Sequence, residues 1–195
     1  DVVHSLESAQ ESSSSSPTER SWANAPLADL AAHITETHHK YTREEIARLS
    51  PLFDKVCPVH GNKPPELLRI RTSFLDLAQA LTMPMMKEER ILFPYIVKME
   101  GATARKETLP SAPFGSVQRP VAMMEHEHDT AGNALRAMRE ASGNYRAPAD
   151  ACISYQTLYR TLAEFEADMH QHISLENNIL FPVAIAMEAG QGPGI

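Results

Sequence analysis

The sequence predicts an all-α protein folded as an antiparallel four-helix bundle. Four long stretches carry apolar residues at intervals of three and four, nothing alternates with period two for long enough to make a strand, and the second half of the chain repeats the first. The repeat is plainest where Pro84 to Pro94 reads P-M-M-K-E-E-R-I-L-F-P and His172 to Pro182, 88 positions on, reads H-I-S-L-E-N-N-I-L-F-P. Glu88 thus matches Glu176, while Pro84 stands where the second copy has His172.

Residues 1 to about 25 include the serine run Ser12 to Ser16 and few apolar positions, which predicts a disordered tail. The bundle is expected over 26–190, with 191–195 a flexible end. Pro26 suits the first turn of a helix from Leu27 to about Val56, whose stripe includes Leu30, Ile34, His38, Tyr41, Leu49 and Phe53. Cys57 to Pro65 is dense in breakers and reads as a loop. A second helix follows over about Glu66 to Met99. Pro84 inside it predicts a kink or a break near Leu81, and Pro94 a second bend. Gly101 to Val117, with Pro110, Pro113 and Gly115, reads as a long crossover. The third helix covers about Val117 to Ser142 through Val121, Met124, His128, Leu135 and Met138, and Gly143-Asn144 ends it. The last starts near Pro148 and runs to about Met187 through Leu158, Phe165, Met169, Leu175 and Ile179. Short, long and short connections make an antiparallel arrangement.

Composition narrows the partners. With 195 residues, 43% hydrophobic and 22% charged, the chain has core material for one domain. A net charge of −7 and the lack of a Lys/Arg cluster argue against nucleic acid and against an anionic membrane surface. No apolar run approaches a membrane span, and a soluble cytoplasmic location is expected. Cys57 and Cys152 lack C-x-x-C spacing and are expected as reduced thiols. The chain begins on Asp1 and not on Met, which leaves room for a segment upstream.

The chemistry lies on the repeat. His172 and Glu176 are four apart, so a helix presents an imidazole and a carboxylate from one face. His39 and His128 lie 89 positions apart, within one residue of the offset between the I-L-F-P segments, which extends the symmetry to all four helices. His39, His128, His172, Glu88 and Glu176 then face one interior point. Two buried unpaired carboxylates are costly, by several kcal/mol each on a rough scale, and no Lys or Arg one turn away on the apolar face of the last helix neutralises Glu176, so a cation is the expected partner. A carboxylate has two oxygens and can span two metals. Nitrogen and oxygen donors without thiolates favour iron or manganese, and iron first. His38, one position from His39, is its rival. Met83, Met85, Met86, Met123, Met124 and Met138 read as core filler, and His4, His126 and His170 as surface residues. His60, in C-P-V-H, reads by spacing alone as a loop histidine.

These motifs, H-x-x-x-E with N-x-I-L-F-P, K-E-E-x-I-L-F-P, E-H-D and V-H-G, occur in order over about residues 27 to 188. They resemble the hemerythrin-like domain of the iron-sulfur cluster repair di-iron proteins, the RIC family. The resemblance implies a bundle that holds a non-haem di-iron centre through five histidines and two bridging glutamates. It implies repair of clusters damaged by nitric oxide or oxidants. Carried over, the metal residues are His39, His60, Glu88, His128, His172 and Glu176, with His60 promoted by the resemblance alone. Pro84 stands where the family has a histidine, reducing five histidines to four, with Cys57 and His126 as weak substitutes. Relatives often carry an N-terminal domain with a cysteine pair. The Ser-rich region here has no cysteine, so that domain either precedes this chain or is lacking. The implied partners are nitric oxide, O₂ or peroxide and damaged iron-sulfur proteins. The competing readings are a module that binds or senses O₂, NO or iron without turnover, and a scaffold whose metal Pro84 has abolished. The ligand set is common to turnover and binding, so it does not say whether the protein is an enzyme.

Overall fold

The computed structural model describes residues 22–60 and 66–190, and these form four helical rods with no strand among them. The first rod is α1 (Leu27–His33), a π-helical turn (Ile34–His39) and α2 (Lys40–His60). The second is α3 (Glu66–Lys87), a π-turn (Glu88–Leu92) and α4 (Phe93–Ala104). The third is the single helix α5 (Gln118–Ala141), and the fourth is α6 (Ile153–Leu175), a π-turn (Glu176–Leu180) and α7 (Phe181–Glu188). Helix α3 packs along α5 and α2 along α6, while α4 touches both α1 and α7. The expected tail and C-terminal end lie outside the described residues.

Three expectations are corrected. Helix α3 runs through Pro84 without a break at Leu81, and α2 runs through Pro51 and Pro58, so that Cys57 to His60 form its last turn and not a loop. The reason is shared. A helical proline deprives the carbonyl four residues back of its donor, and those carbonyls belong to Ala47, Asp54 and Ala80, all at exposed positions where water can serve them. Of the six methionines read as core, Met85, Met124 and Met138 are buried, Met86 is half-buried, and Met83 and Met123 are exposed.

Pro94 and Pro182 act differently. Each follows a π-turn that starts on a glutamate and ends on the leucine of I-L-F-P, so the two copies share a backbone device as well as a sequence. A π-turn widens the helix by one residue, which accommodates a ring that would otherwise crowd the preceding turn. Gly143 (φ 58) and Asn144 (φ 61) close α5 as expected, with the Asn144 N–H donating to Arg139 O and the Gly143 N–H to Glu140 O.

The repeat also staples the rods together. Glu100 accepts hydrogen bonds from the free N–H groups of Leu27 and Ala28, at 2.6 and 3.0 Å, where α1 begins without a capping side chain. Glu188, 88 positions on, accepts from the Val117 N–H at 2.9 Å and the Ser116 hydroxyl at 2.7 Å, where α5 begins. Each carboxylate satisfies orphan donors and complements a helix dipole from a neighbouring rod. Glu188→Ala is therefore expected to cost about 2 kcal/mol. An unshifted urea midpoint would count against the staple.

The core is split in two. One apolar cluster, around Leu49, Phe53, Phe74, Leu135 and Phe165, fills the end near the α2–α3 connection. The other, around Leu30, Ile34, Ile96, Val121, Leu180 and Phe181, fills the opposite end. Between them lies a layer of buried polar side chains that includes His39, Glu88, His128, His172 and Glu176.

Candidate metal centre

Each rod supplies this layer. His39 closes the first π-turn, Glu88 opens the second, Glu176 opens the third, and His128 and His172 come from regular turns of α5 and α6. Three of the five residues sit on π-turns, a local widening often found at functional sites.

The imidazoles are aimed. The Nδ1–H of His39 donates to Glu89 Oε1 at 2.8 Å, and Glu89 is held in turn by Arg43. The Nδ1–H of His128 donates to Asn177 Oδ1 at 2.9 Å. Both oxygens can only accept, so in each neutral imidazole the lone pair falls on Nε2, which points inward. His39 Nε2 then faces His172 Nε2 at 3.1 Å, an approach that a proton or a cation has to bridge. Glu89 and Asn177 were missed by the sequence reading, although the 88-residue offset relates them, as it relates the glutamates they follow.

Glu88 and Glu176 divide their oxygens between two donor groups. Glu88 Oε2 lies 3.5 Å from His39 Nε2, and Glu176 Oε1 lies 3.2 Å from His172 Nε2 and 3.8 Å from His39 Nε2. One ligating atom from each of these four residues falls within 4.8 Å of all the others. The remaining oxygens face His128 Nε2, Glu176 Oε2 at 3.0 Å and Glu88 Oε1 at 3.9 Å. Despite these distances, Glu88 Oε1 and both Glu176 oxygens are buried without an aligned hydrogen-bond donor. Buried polar atoms are rarely left so.

Electrostatics make the same point. Burial, and then the charge of Glu176, hold the Glu88 carboxyl well above the usual range. Burial also pushes Glu176 up, but the imidazoles around it, His172 first, overcome this and hold it well below. These opposite directions leave the proton on Glu88 and the charge on Glu176, and a cation in place of that proton would satisfy both carboxylates together. The donor set of imidazole nitrogens and carboxylate oxygens fits non-haem iron.

The other candidates lie elsewhere. His38 turns toward α6, where its Nδ1 meets Asp168 at 2.9 Å, so His39 and not its neighbour faces the cluster. His60, which the family resemblance adds to the ligands, ends α2, 21 residues and about 31 Å of helical rise beyond His39. There its Nε2 lies 3.3 Å from Cys152 Sγ, so it does not join the cluster. Cys57 belongs to the same distant end, and His126 is exposed on α5. Neither lies with the cluster, where it could substitute for the histidine that the family resemblance puts at position 84.

Comparison with known proteins shows the family. The hemerythrin HHE cation binding domain matches residues 30–184. A protein of Musicola paradisiaca named iron-sulfur cluster repair protein YtfE is 39% identical over 176 residues, covering 89% of this chain and 72% of that one. Proteins of the same name from Citrobacter koseri and Escherichia coli O81 are each 37% identical over 172 residues, 88% of this chain and 72% of theirs. With this match over most of its length and the histidine–glutamate layer that it encloses, the chain belongs to the hemerythrin HHE cation binding domain family.

Proposed function

We propose that this chain holds two non-haem irons and serves, in the cytoplasm, in the repair of iron-sulfur clusters damaged by nitric oxide or oxidants. The observation that carries the reading is the division of two buried carboxylates between two donor groups. His39 and His172 would hold one iron, His128 the other, and Glu88 and Glu176 would bridge them. The names of the relatives support the repair role. No described helix is long and apolar enough to cross a membrane.

Bound iron would supply a redox-active, Lewis-acidic centre there. The protein's residues determine what reaches it. His128, the most exposed of the five, shows only 6% of its surface, so no damaged cluster can touch the centre directly. Exchange is restricted to small molecules, protons and iron itself. A polar basin of about 570 Å³, lined by Asp129, Asn133, Arg136, Ser174, Asn177 and Asn178 among others, meets the layer at His128 and offers a route from solvent.

This enclosure also favours a second reading, in which the centre binds NO, O₂ or iron without turnover. Two measurements separate them. A [4Fe–4S] enzyme inactivated by nitric oxide is expected to regain activity with the iron-loaded chain and not with the metal-free chain. Equal recovery in both would overturn repair. In rapid mixing of the reduced protein with NO, release of N₂O marks turnover, and a stoichiometric adduct without product marks binding.

A further inference from the structure

The two donor groups are unequal, and the inequality traces to Pro84. The group of His39 and His172 has two imidazoles, whereas the group of His128 has one, because the repeat partner of His172 is a proline with no side-chain donor. In place of an imidazole the structure has a cavity of about 80 Å³, lined by Leu81, Pro84, Met85, Ala131 and Met169 on its apolar sides. The same cavity is lined by Glu88, His128, His172 and Glu127.

Glu127 has no part in the ligand set that the family resemblance implies. Its Oε1 lies 3.5 Å from Lys87 Nζ, and its Oε2 is buried with no hydrogen-bond partner. It lines one cavity with Glu88 and His128, which places the side chain beside the depleted group. The internal repeat explains its position. Glu127 is the mate of His38, 89 positions earlier, the offset that also relates His128 to His39. His38 lies against His172, ring centres 5.9 Å apart, as Glu127 and Pro84 border one cavity. One copy thus has histidine beside histidine, and the other has glutamate beside proline.

We propose that Glu127 supplies, through Oε2, the metal ligand that Pro84 removes, so that His128, Glu88, Glu176 and Glu127 form an oxygen-rich second iron site. This inference rests on the two-iron reading above. It makes the centre asymmetric, with an imidazole-rich position at His39 and His172 and a harder, carboxylate-rich position at His128. Lys87 then holds the non-ligating oxygen of Glu127, as Glu89 and Asn177 hold the outer nitrogens of the histidines.

The test is an anaerobic Fe(II) titration of the full chain, read as iron per chain and as Mössbauer spectra, for the wild type, Glu127→Gln, and Glu127→Gln combined with Pro84→His. The wild type is expected to take two irons with unequal affinity and two distinct iron signals. Glu127→Gln should leave the tighter site unchanged and weaken the other by about tenfold or more. Adding Pro84→His should restore it, since an imidazole then reaches the cavity from α3. Glu127 is partly exposed, and metal-free melting curves of wild type and Glu127→Gln are expected to coincide, which separates lost ligation from lost folding. If Glu127→Gln takes two irons with wild-type affinities, the assignment is overturned while the two-iron reading stands. A wild type that binds one iron overturns it too. A wild type that binds none overturns both.

Discussion

Glu176→Gln yields a protein that purifies without iron and takes up none from Fe(II) under anaerobic conditions. The expectation follows from the position of one side chain. Glu176 is buried at the junction of both donor groups, with Oε1 toward His172 and His39 and Oε2 toward His128. On the two-iron reading, removing its charge would take an anionic donor from both positions together and leave the Nε2 atoms of His39 and His172 facing each other at 3.1 Å. Residues that only orient metal ligands are worth about 10- to 100-fold in affinity. A ligand shared by two metals is worth more than that at each. His60→Ala is the control, since His60 lies at the far end of α2 and its removal should leave the iron content unchanged. Iron in Glu176→Gln at the wild-type level, or loss of iron in His60→Ala, would count against the centre described here.

The contrast between these residues shows what the sequence could and could not convey. The 88-residue offset made the bundle, Glu88, Glu176 and the pairing of His39 with His128 legible, because duplication copies both the fold and the direction in which a side chain points. The same offset also carries Glu89 with Asn177 and Glu100 with Glu188. Those pairs were overlooked because each does its work on a different rod, and periodicity along one helix says nothing about what faces it. His60 was promoted by a family motif whose spacing cannot measure distance. Whether Cys57 to His60 is a loop that folds back or a helix that runs straight on decides the matter, and the helix continues because the carbonyl freed by Pro58 belongs to exposed Asp54. The π-turns could not be read from composition at all. An α-helical and a π-helical turn differ by one residue of hydrogen-bond register, and the Phe-Pro steps that mark two of them are absent from the third, at Ile34–His39.

Removal of iron lowers the melting temperature, and the gap depends on pH. A ligand that binds only the folded state adds about 2.7 kcal/mol when present at a hundredfold excess over its dissociation constant. For a domain of this size that corresponds to a shift of about 5 to 10 °C. The layer is the reason to expect that dependence on iron. Its two apolar clusters are separated by carboxylate oxygens without aligned donors, so the metal-free fold retains the cost of burying them. The pH dependence comes from Glu88, whose carboxyl, held well above the usual range by burial and then by Glu176, keeps a proton in the metal-free fold. A group raised in this way stabilises the fold at low pH and loses that contribution as pH rises through the raised value. In the loaded protein a cation held by Glu88 would take the place of that proton, so the same rise in pH would remove a competitor and strengthen binding. The difference in melting temperature between loaded and metal-free chains is therefore expected to be small near the ordinary glutamate range, about pH 4, and to widen toward neutrality. Scanning calorimetry of both forms across that interval checks it. A difference that stays constant with pH would mean that no proton leaves Glu88 when iron binds, and that Glu88 is not a ligand.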